Sequence, residues 1–556
     1  YYVFGQLDLK DGVLTIPEGV TSIGNRAFIG YTDIKKLVLP STLIKLGDNA
    51  FQNCTGIEII EFRNGSPSLT SISQYAFAGC TSLKEVVLPA TITKVLPYAF
   101  DNCTSLANLA MPGVVTIDKY SFRNTAIENL VIGNNVTTIG ASAFENSKIK
   151  NVNFNAKLQK IENYAFQNTL LTSVNITASI TSIGSYAFCN NYNLASVTFA
   201  DNGSLTSIGS SAFKATAISG VEIPATVTTL GSSVFENCSN LTNVVFKGNA
   251  ISTIGTAAFA NTAIQSIVIP DSVTTIESGA FQDCTALTEV KLSSNLKTLA
   301  TISSRATTAN KGSVFEGCTS LEYIDLPESL TYMGTFTFRN SGLKRITIPA
   351  NVKFLAVKEA LPSAMSGSTG TYFQDGSKEL PVMSENYFAG QFANCSELEE
   401  VILPTNLQAI GAGVFYNTPK LKTLKYTGYT GEENILPATV TELGGYAFLN
   451  CGLESLTAGG LKSIYKNAFS ESDLRAIDLS DSPLSTIDIF AFRNTEKLRK
   501  VQLPSKLTKI GRAAFENSGI QEILLPETVT TIESAAFRNS SLTSVNLSNV
   551  ISYGAE

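Results

Sequence analysis

Along residues 83–88, Leu-Lys-Glu-Val-Val-Leu, inward and outward positions alternate. Successive strand side chains point to opposite faces, so Val86 and Leu88 share one face and Glu85 and Val87 the other. The first face is predicted to enter the core and the second to face out. Pro89 then ends the strand, because proline has no N–H for the ladder. The same stop recurs as Pro40, Pro112, Pro224, Pro270, Pro327, Pro349, Pro404, Pro504 and Pro526. A second arm follows, written VTSIG at 20–24, VTTIG at 136–140, ITSIG at 180–184 and VTTIE at 273–277 and 529–533. Its alternation predicts a short second strand or extended arm. Its glycine is expected to permit a tight turn, and the Ala-Phe pair after it to pack a ring inside the next corner.

The anchoring phenylalanine recurs at 28, 51, 77, 100, 122, 144, 166, 188, 213, 235, 259, 281, 315, 338, 392, 415, 448, 469, 492, 515 and 537. These 21 units lie mostly 22 or 23 residues apart. A period of about 20–29 residues carrying Leu-x-x-Leu-x-Leu is the signature of leucine-rich repeats. One unit alone cannot bury its apolar face, whereas stacked units share a continuous core. The expected fold is therefore one leucine-rich-repeat solenoid, β-rich within the α/β class, with parallel strands on its concave face. Residues 1–13 would form an N-terminal cap and 549–556 a C-terminal tail.

The stretch LTIPEGVTSIGNRAF at 14–28, and the recurring form VTSIG…AF…NCTSLxxVxLP, resemble the BspA-like leucine-rich repeats. The resemblance spans about residues 12–548. It implies a surface or secreted protein that adheres to host proteins or other cells. It supplies no shared catalytic residue.

Composition narrows the chemistry. Charged residues make up 15% of the chain, against about 25% in ordinary domains, so the polar surface must be built from Ser, Thr, Asn and Gly. The net charge is −6 and no Lys/Arg cluster occurs, which argues against nucleic acid as a partner. No apolar run reaches the ~18 residues of a membrane span. The opening YYVFGQLDLKDGV has neither Met nor a basic leader, so any signal or anchor is expected outside these 556 residues. There is no histidine, which removes the usual general base and the commonest metal ligand. The carboxylates at Asp478/Asp481 and at Glu397, Glu399 and Glu400 read as solvating groups. GSTGTY at 367–372 lacks the lysine of a phosphate loop. The chain is read as a non-enzyme without cofactor or metal.

Eight of the nine cysteines sit three residues after an anchoring phenylalanine: Cys54, Cys80, Cys103, Cys238, Cys284, Cys318, Cys395 and Cys451. Cys189 is the exception. A slot repeated eight times is a poor place for an individually activated thiol. Cys54, Cys80 and Cys103 occupy successive units within disulfide reach, but three in a row cannot all pair. The cysteines are read as buried free thiols filling a corner, with the preceding Asn bonded to turn backbone. Asn53-Cys-Thr, Asn135-Val-Thr and Asn175-Ile-Thr have the form of glycosylation sequons and are read as turn chemistry.

Function must then lie in what the repeats do not share. Outward strand positions are Asn151/Asn153 and Ser173/Asn175 in the middle of the chain. They become charged or aromatic later: Glu289/Lys291, Tyr323/Asp325, Arg345/Thr347, Glu400/Ile402 and Thr423/Lys425. The candidate recognition residues are Glu289, Lys291, Tyr323, Asp325, Arg345, Glu400 and Lys425, since Tyr and Arg are enriched at hot spots. Insertions at 299–312, 355–388 and 426–437 break the period there, and solenoid insertions often line the binding face. The expected function is non-enzymatic adhesion by a monomer to a host extracellular or cell-surface protein, or a glycan. A carbohydrate-binding module and a spacer that holds another domain off the cell surface are the alternatives.

Overall fold

The alternation at 83–88 holds in the computed structural model, which describes residues 9–300, 313–355 and 390–554. Glu85 and Val87 are exposed, whereas Val86 and Leu88 are buried. Residues 1–8 of the expected cap, 301–312 and 356–388 of two expected insertions, and 555–556 of the expected tail lie outside the described residues. Among those described, the helical elements are two three-residue 3-10 turns, Lys10–Gly12 and Arg63–Gly65. The chain is a parallel-strand solenoid made of strands and corners.

The chain divides into two units, Tyr1–Ile251 and Ser252–Glu556. In the first, Val13–Thr15, Lys36–Leu39, Ile59–Phe62, Glu85–Val87 and Asn108–Ala110 pair in parallel in chain order. The second arms form their own ladder of two-residue strands, eight of them from Ser71–Ile72 to Thr229–Leu230. In the second unit Arg345–Thr347, Glu400–Leu403 and Thr423–Tyr426 make one parallel sheet. Ser455–Thr457, Ala476–Asp478 and Lys500–Gln502 make another. The end of the chain also pairs: Ser552–Tyr553 lies beside Thr531–Ile532.

Phenylalanine rings form the spine of each unit. From Phe28 to Phe235 consecutive rings stack at 5.0–5.6 Å. From Phe259 to Phe537 they stack at 5.1–5.7 Å. The stack is continuous from Phe281 to Phe315 and from Phe338 to Phe392, where the sequence period breaks. Extra chain is thus accommodated without separating the rings.

Backbone strain sits elsewhere than expected. The glycine of the second arm is not left-handed. A Cβ at Gly47, Gly140, Gly184, Gly209, Gly231, Gly444 or Gly511 would come within 2.3–2.8 Å of the previous turn's backbone, so glycine serves close stacking there. Most left-handed residues lie two before or two after an anchoring phenylalanine, such as Tyr98 (φ 61°) and Asn102 (φ 59°) around Phe100. Asn tolerates this conformation and dominates the second position. At Asn124, Asn146 and Asn168 the side chain bonds its counterpart in the neighbouring turn rather than the turn backbone expected. Asn124 donates to Asn102 at 2.7 Å, Asn146 to Asn124 at 3.0 Å and Asn168 to Asn146 at 2.8 Å, an amide ladder running along the turns.

All nine cysteines are free and buried. They do more than fill space. Cys54 Sγ donates to the carbonyl of Phe28 at 2.9 Å, Cys103 to Phe77 at 3.2 Å and Cys395 to Phe338 at 3.0 Å, each reaching back one turn. Thr125 and Ser147 occupy the same slot and bond their own turn's phenylalanine carbonyl instead.

Candidate functional site

Residues two places after the first leucine of each repeat form a column on the outward face of the turns. In successive turns of the second unit this column reads Tyr323, Arg345, Glu400 and Thr423. Ladder pairing fixes part of its register, with Arg345 opposite Glu400 and Glu400 opposite Thr423. One place earlier runs a second column: Glu322, Lys344, Glu399 and Lys422. Between them lies an open depression of about 590 Å³, lined by Tyr323, Lys344, Arg345, Glu399, Glu400, Pro419, Lys420, Lys422 and Thr423.

The electrostatics separate Arg345 from its neighbours. Lys344 Nζ lies 2.8 Å from Glu322, Lys420 Nζ 2.7 Å from Glu397, and Lys422 Nζ 3.3 Å from Glu454. Hydrogen bonding to Glu322 raises the Lys344 pKa, and hydrogen bonding from Lys420 holds Glu397 below the usual carboxylate range. Arg345 makes no ion pair among the described residues. Its guanidinium lies 5.0 Å from the centroid of the Tyr323 ring, a cation–π pair. A hydrogen bond to Tyr323 raises its pKa, with smaller contributions from Glu400 and Glu399. The Tyr323 side chain is 46% exposed. The site is thus an aromatic ring and a guanidinium held together, flanked by cations and two outward carboxylates.

The other expected residues fall outside this depression. Glu289 and Lys291 are exposed on the strand Glu289–Lys291, paired with Ser266–Val268. Asp325 is exposed, and the run 321–326 that carries it and Tyr323 is not a strand although Leu321 and Ile324 are buried. Lys425 is occupied: its Nζ donates to the Gly431 carbonyl at 2.7 Å and so ties down the segment 426–437. Asn434 Oδ1 accepts from the Leu424 N–H at 2.9 Å, and Ile435 bridges to Thr457. Sequence reading missed Lys344, Glu399, Lys420 and Lys422. For Lys344, Glu399 and Lys422 the signal was the alternation of charge after the first leucine of each repeat, Glu322, Lys344, Glu399, Lys422, Glu454 and Arg475.

Among the described residues, no group of three or more Cys, Asp or Glu is placed to hold a metal ion. No described helix is long and apolar enough to cross a membrane.

A family model described as BspA type leucine-rich repeat region matches six stretches, 1–117, 115–242, 206–306, 299–358, 379–432 and 430–544. No curated protein matches the chain. Among solved structures, a leucine-rich repeat protein from Bacteroides ovatus is 21% identical over 80% of this chain and 86% of its own, with a TM-score of 0.46. A leucine-rich cell surface protein from Faecalibacterium prausnitzii is 21% identical over 76% of this chain and 89% of its own, TM-score 0.28. The pneumococcal vaccine antigen PcpA is 15% identical over 99% and 95%, TM-score 0.32.

Proposed function

The chain belongs to the BspA-type leucine-rich-repeat family, and from that premise we propose a non-enzymatic binding protein that acts at the cell surface or outside the cell. Its partner is an extracellular or cell-surface protein of a host or a neighbouring cell. The contact is made by the strand face of the second unit, centred on Tyr323, Arg345 and Glu400.

One observation carries this reading. Arg345 is kept against an exposed tyrosine ring and, among the described residues, out of an ion pair, in an open depression of about 590 Å³. Exposed Tyr and Arg side by side are the residue types on which binding energy concentrates. A guanidinium already oriented by a ring loses less freedom when it meets a partner carboxylate than a free lysine does. The flanking ion pairs Lys344–Glu322 and Lys420–Glu397 are exposed and add register and selectivity rather than affinity. The low charge and absence of histidine over the whole chain fit recognition better than catalysis.

The test is capture of the protein by a panel of immobilised extracellular-matrix and cell-surface proteins. Tyr323→Ala should weaken capture about tenfold or more, the scale of a hot-spot truncation. Capture that survives Tyr323→Ala unchanged removes the site from the reading. Failure of the whole panel favours a spacer.

A further inference from the structure

A second cluster lies in the same unit, on the flank formed by the second arms and the corners. It begins from a repeated local motif. An aromatic residue two places before an anchoring phenylalanine sits under an arginine one place after it. Tyr120 and Arg123 are 4.8 Å apart, Phe336 and Arg339 4.4 Å, and Phe490 and Arg493 5.0 Å, ring centroid to guanidinium carbon. In the first two cases the arginine is neutralised by a carboxylate of the previous turn, Asp101 or Glu316. These are structural pairs.

Phe490 departs from that pattern. Three cations converge on its ring: Arg493 at 5.0 Å, Arg512 at 5.5 Å and Lys466 at 5.8 Å. Arg493 is paired with Glu516, which also takes Arg538. Among the described residues, neither Lys466 nor Arg512 has an ion pair through its side chain. Like charges gathered on one ring repel, and a protein of net charge −6 has no general need to place them together.

A depression of about 480 Å³ opens along the adjoining second arms; it is lined by the chain neighbours of the cluster, Tyr465, Ile489 and Gly511, with Asp488, Lys509 and Glu533. Lys509 is paired with Glu533, and Glu533 also accepts the Arg512 backbone N–H at 2.9 Å. Asp488 accepts the Ile489 N–H at 2.6 Å, and burial pushes its carboxyl above the ordinary value. The place therefore offers two cations that form no ion pair among the described residues, Lys466 acting on Asp488 only through space, together with aromatic surface from Phe490 and Tyr465 and the carboxylates of Asp488 and Glu533.

We infer that this flank binds an acidic oligosaccharide, with its anionic substituent between Lys466 and Arg512 and a sugar ring against Phe490. A guanidinium and an ammonium suit sulfate or carboxylate. An aromatic face suits the apolar side of a pyranose, and Asp488 and Glu533 can accept its hydroxyl protons. This site is separate from the Tyr323–Arg345 depression and does not depend on it.

The experiment is calorimetric titration of the full chain at low and at about 0.15 M salt. The probes are a sulfated heparin-derived oligosaccharide, an oligogalacturonate, a neutral cello-oligosaccharide and a single-stranded oligonucleotide of matched charge. At least one acidic sugar should bind, more weakly at higher salt, and the neutral sugar should not. Preference between the two acidic sugars identifies sulfate or carboxylate as the anion. Arg512→Ala and Lys466→Gln should each weaken binding about tenfold, the worth of one charge-assisted hydrogen bond. Phe490→Asn should weaken it too without unfolding the turn, because Asn accepts the left-handed backbone found at Phe490 (φ 58°). Arg345→Glu should leave it unchanged. The proposal falls if neither acidic sugar binds, if the oligonucleotide binds as tightly, or if the Lys466, Phe490 and Arg512 variants all bind like the parent with unchanged melting.

Discussion

Phe166→Ala tests the physical basis of the stack. Phe166 is fully buried between Phe144 at 5.4 Å and Phe188 at 5.5 Å, and meets the edge of Phe154 at 5.7 Å. Truncating a core phenylalanine costs about 3–5 kcal/mol, part transfer energy and part cavity. Loss of two stacked ring contacts, at about 0.5–1.5 kcal/mol each, places this site toward the upper end of that range. In a repeat protein the loss falls first on the turns that touch the cavity. The assay is native-state hydrogen exchange with urea denaturation. The amides of Phe144 and Phe166, bonded to the Ala165 and Ala187 carbonyls, should exchange faster by the full cost, and amides near Phe28 should change little. Thr198→Ala, at an exposed strand position, should stay within about 0.5 kcal/mol of the parent. If Phe166→Ala shifts the urea midpoint no more than Thr198→Ala does, the phenylalanine column is not the core and the stacking account fails.

Alkylation of the native chain at neutral pH should leave its thiols unmodified, because burial pushes Cys54, Cys284, Cys395 and Cys451 up to about 11 and the thiolate is the reactive form. Mass after denaturation should show nine modified cysteines, and fewer would reveal a disulfide. Asn146→Ala should cost about 1 kcal/mol more than Asn146→Gly, since both break the amide ladder and only Ala pays for the left-handed backbone at φ 59°; equal melting points would contradict this. Burial holds the folded-state pKa of Asp488 above its ordinary 3.8, so the folded chain holds this proton more tightly than the unfolded chain. The stability linked to that proton is present in acid and lost as pH rises through 3.8 toward the folded value. Asp488→Asn should therefore melt higher than the parent at neutral pH and alike in acid, and a lower melting point at neutral pH would refute the sign.

The fold was legible because one pattern is written 21 times. Val86 and Leu88 inward, Glu85 and Val87 outward, and a ring at each corner all follow from alternation and period. The backbone was harder to read. Asn at the second left-handed position announces itself, but a tyrosine such as Tyr98 at the first does not, because bulky residues normally avoid that region. Repetition of the corner around it, with Tyr98 stacked 4.4 Å from Tyr75 and 4.6 Å from Tyr120, is what holds it there. Glycine in the second arm misled for a related reason: its lack of a side chain serves packing between turns, which a single unit does not reveal. The thiol bonds to the previous turn were invisible for the same cause.

That Tyr323, Arg345 and Glu400 share one depression was legible because they occupy one column of the repeat. Lys344, Glu399 and Lys422 occupy the neighbouring column, which the strand alternation assigns to neither face. Lys420 comes from a corner. The bond from Lys425 to Gly431 could not be read from the sequence, because Gly431 belongs to a segment without a repeat register. The cation cluster at Phe490 joins three successive turns and depends on corner geometry, so no single stretch of sequence displays it.

The central functional claim is that recognition is centred on Arg345. The direct measurement is the Kd of one captured extracellular protein for the parent, for Arg345→Glu and for Asn151→Glu, an equally exposed strand position in the first unit. The account predicts a loss of about tenfold or more for Arg345→Glu with Asn151→Glu unchanged. Equal affinity for the parent and Arg345→Glu, or a loss confined to Asn151→Glu, would contradict it.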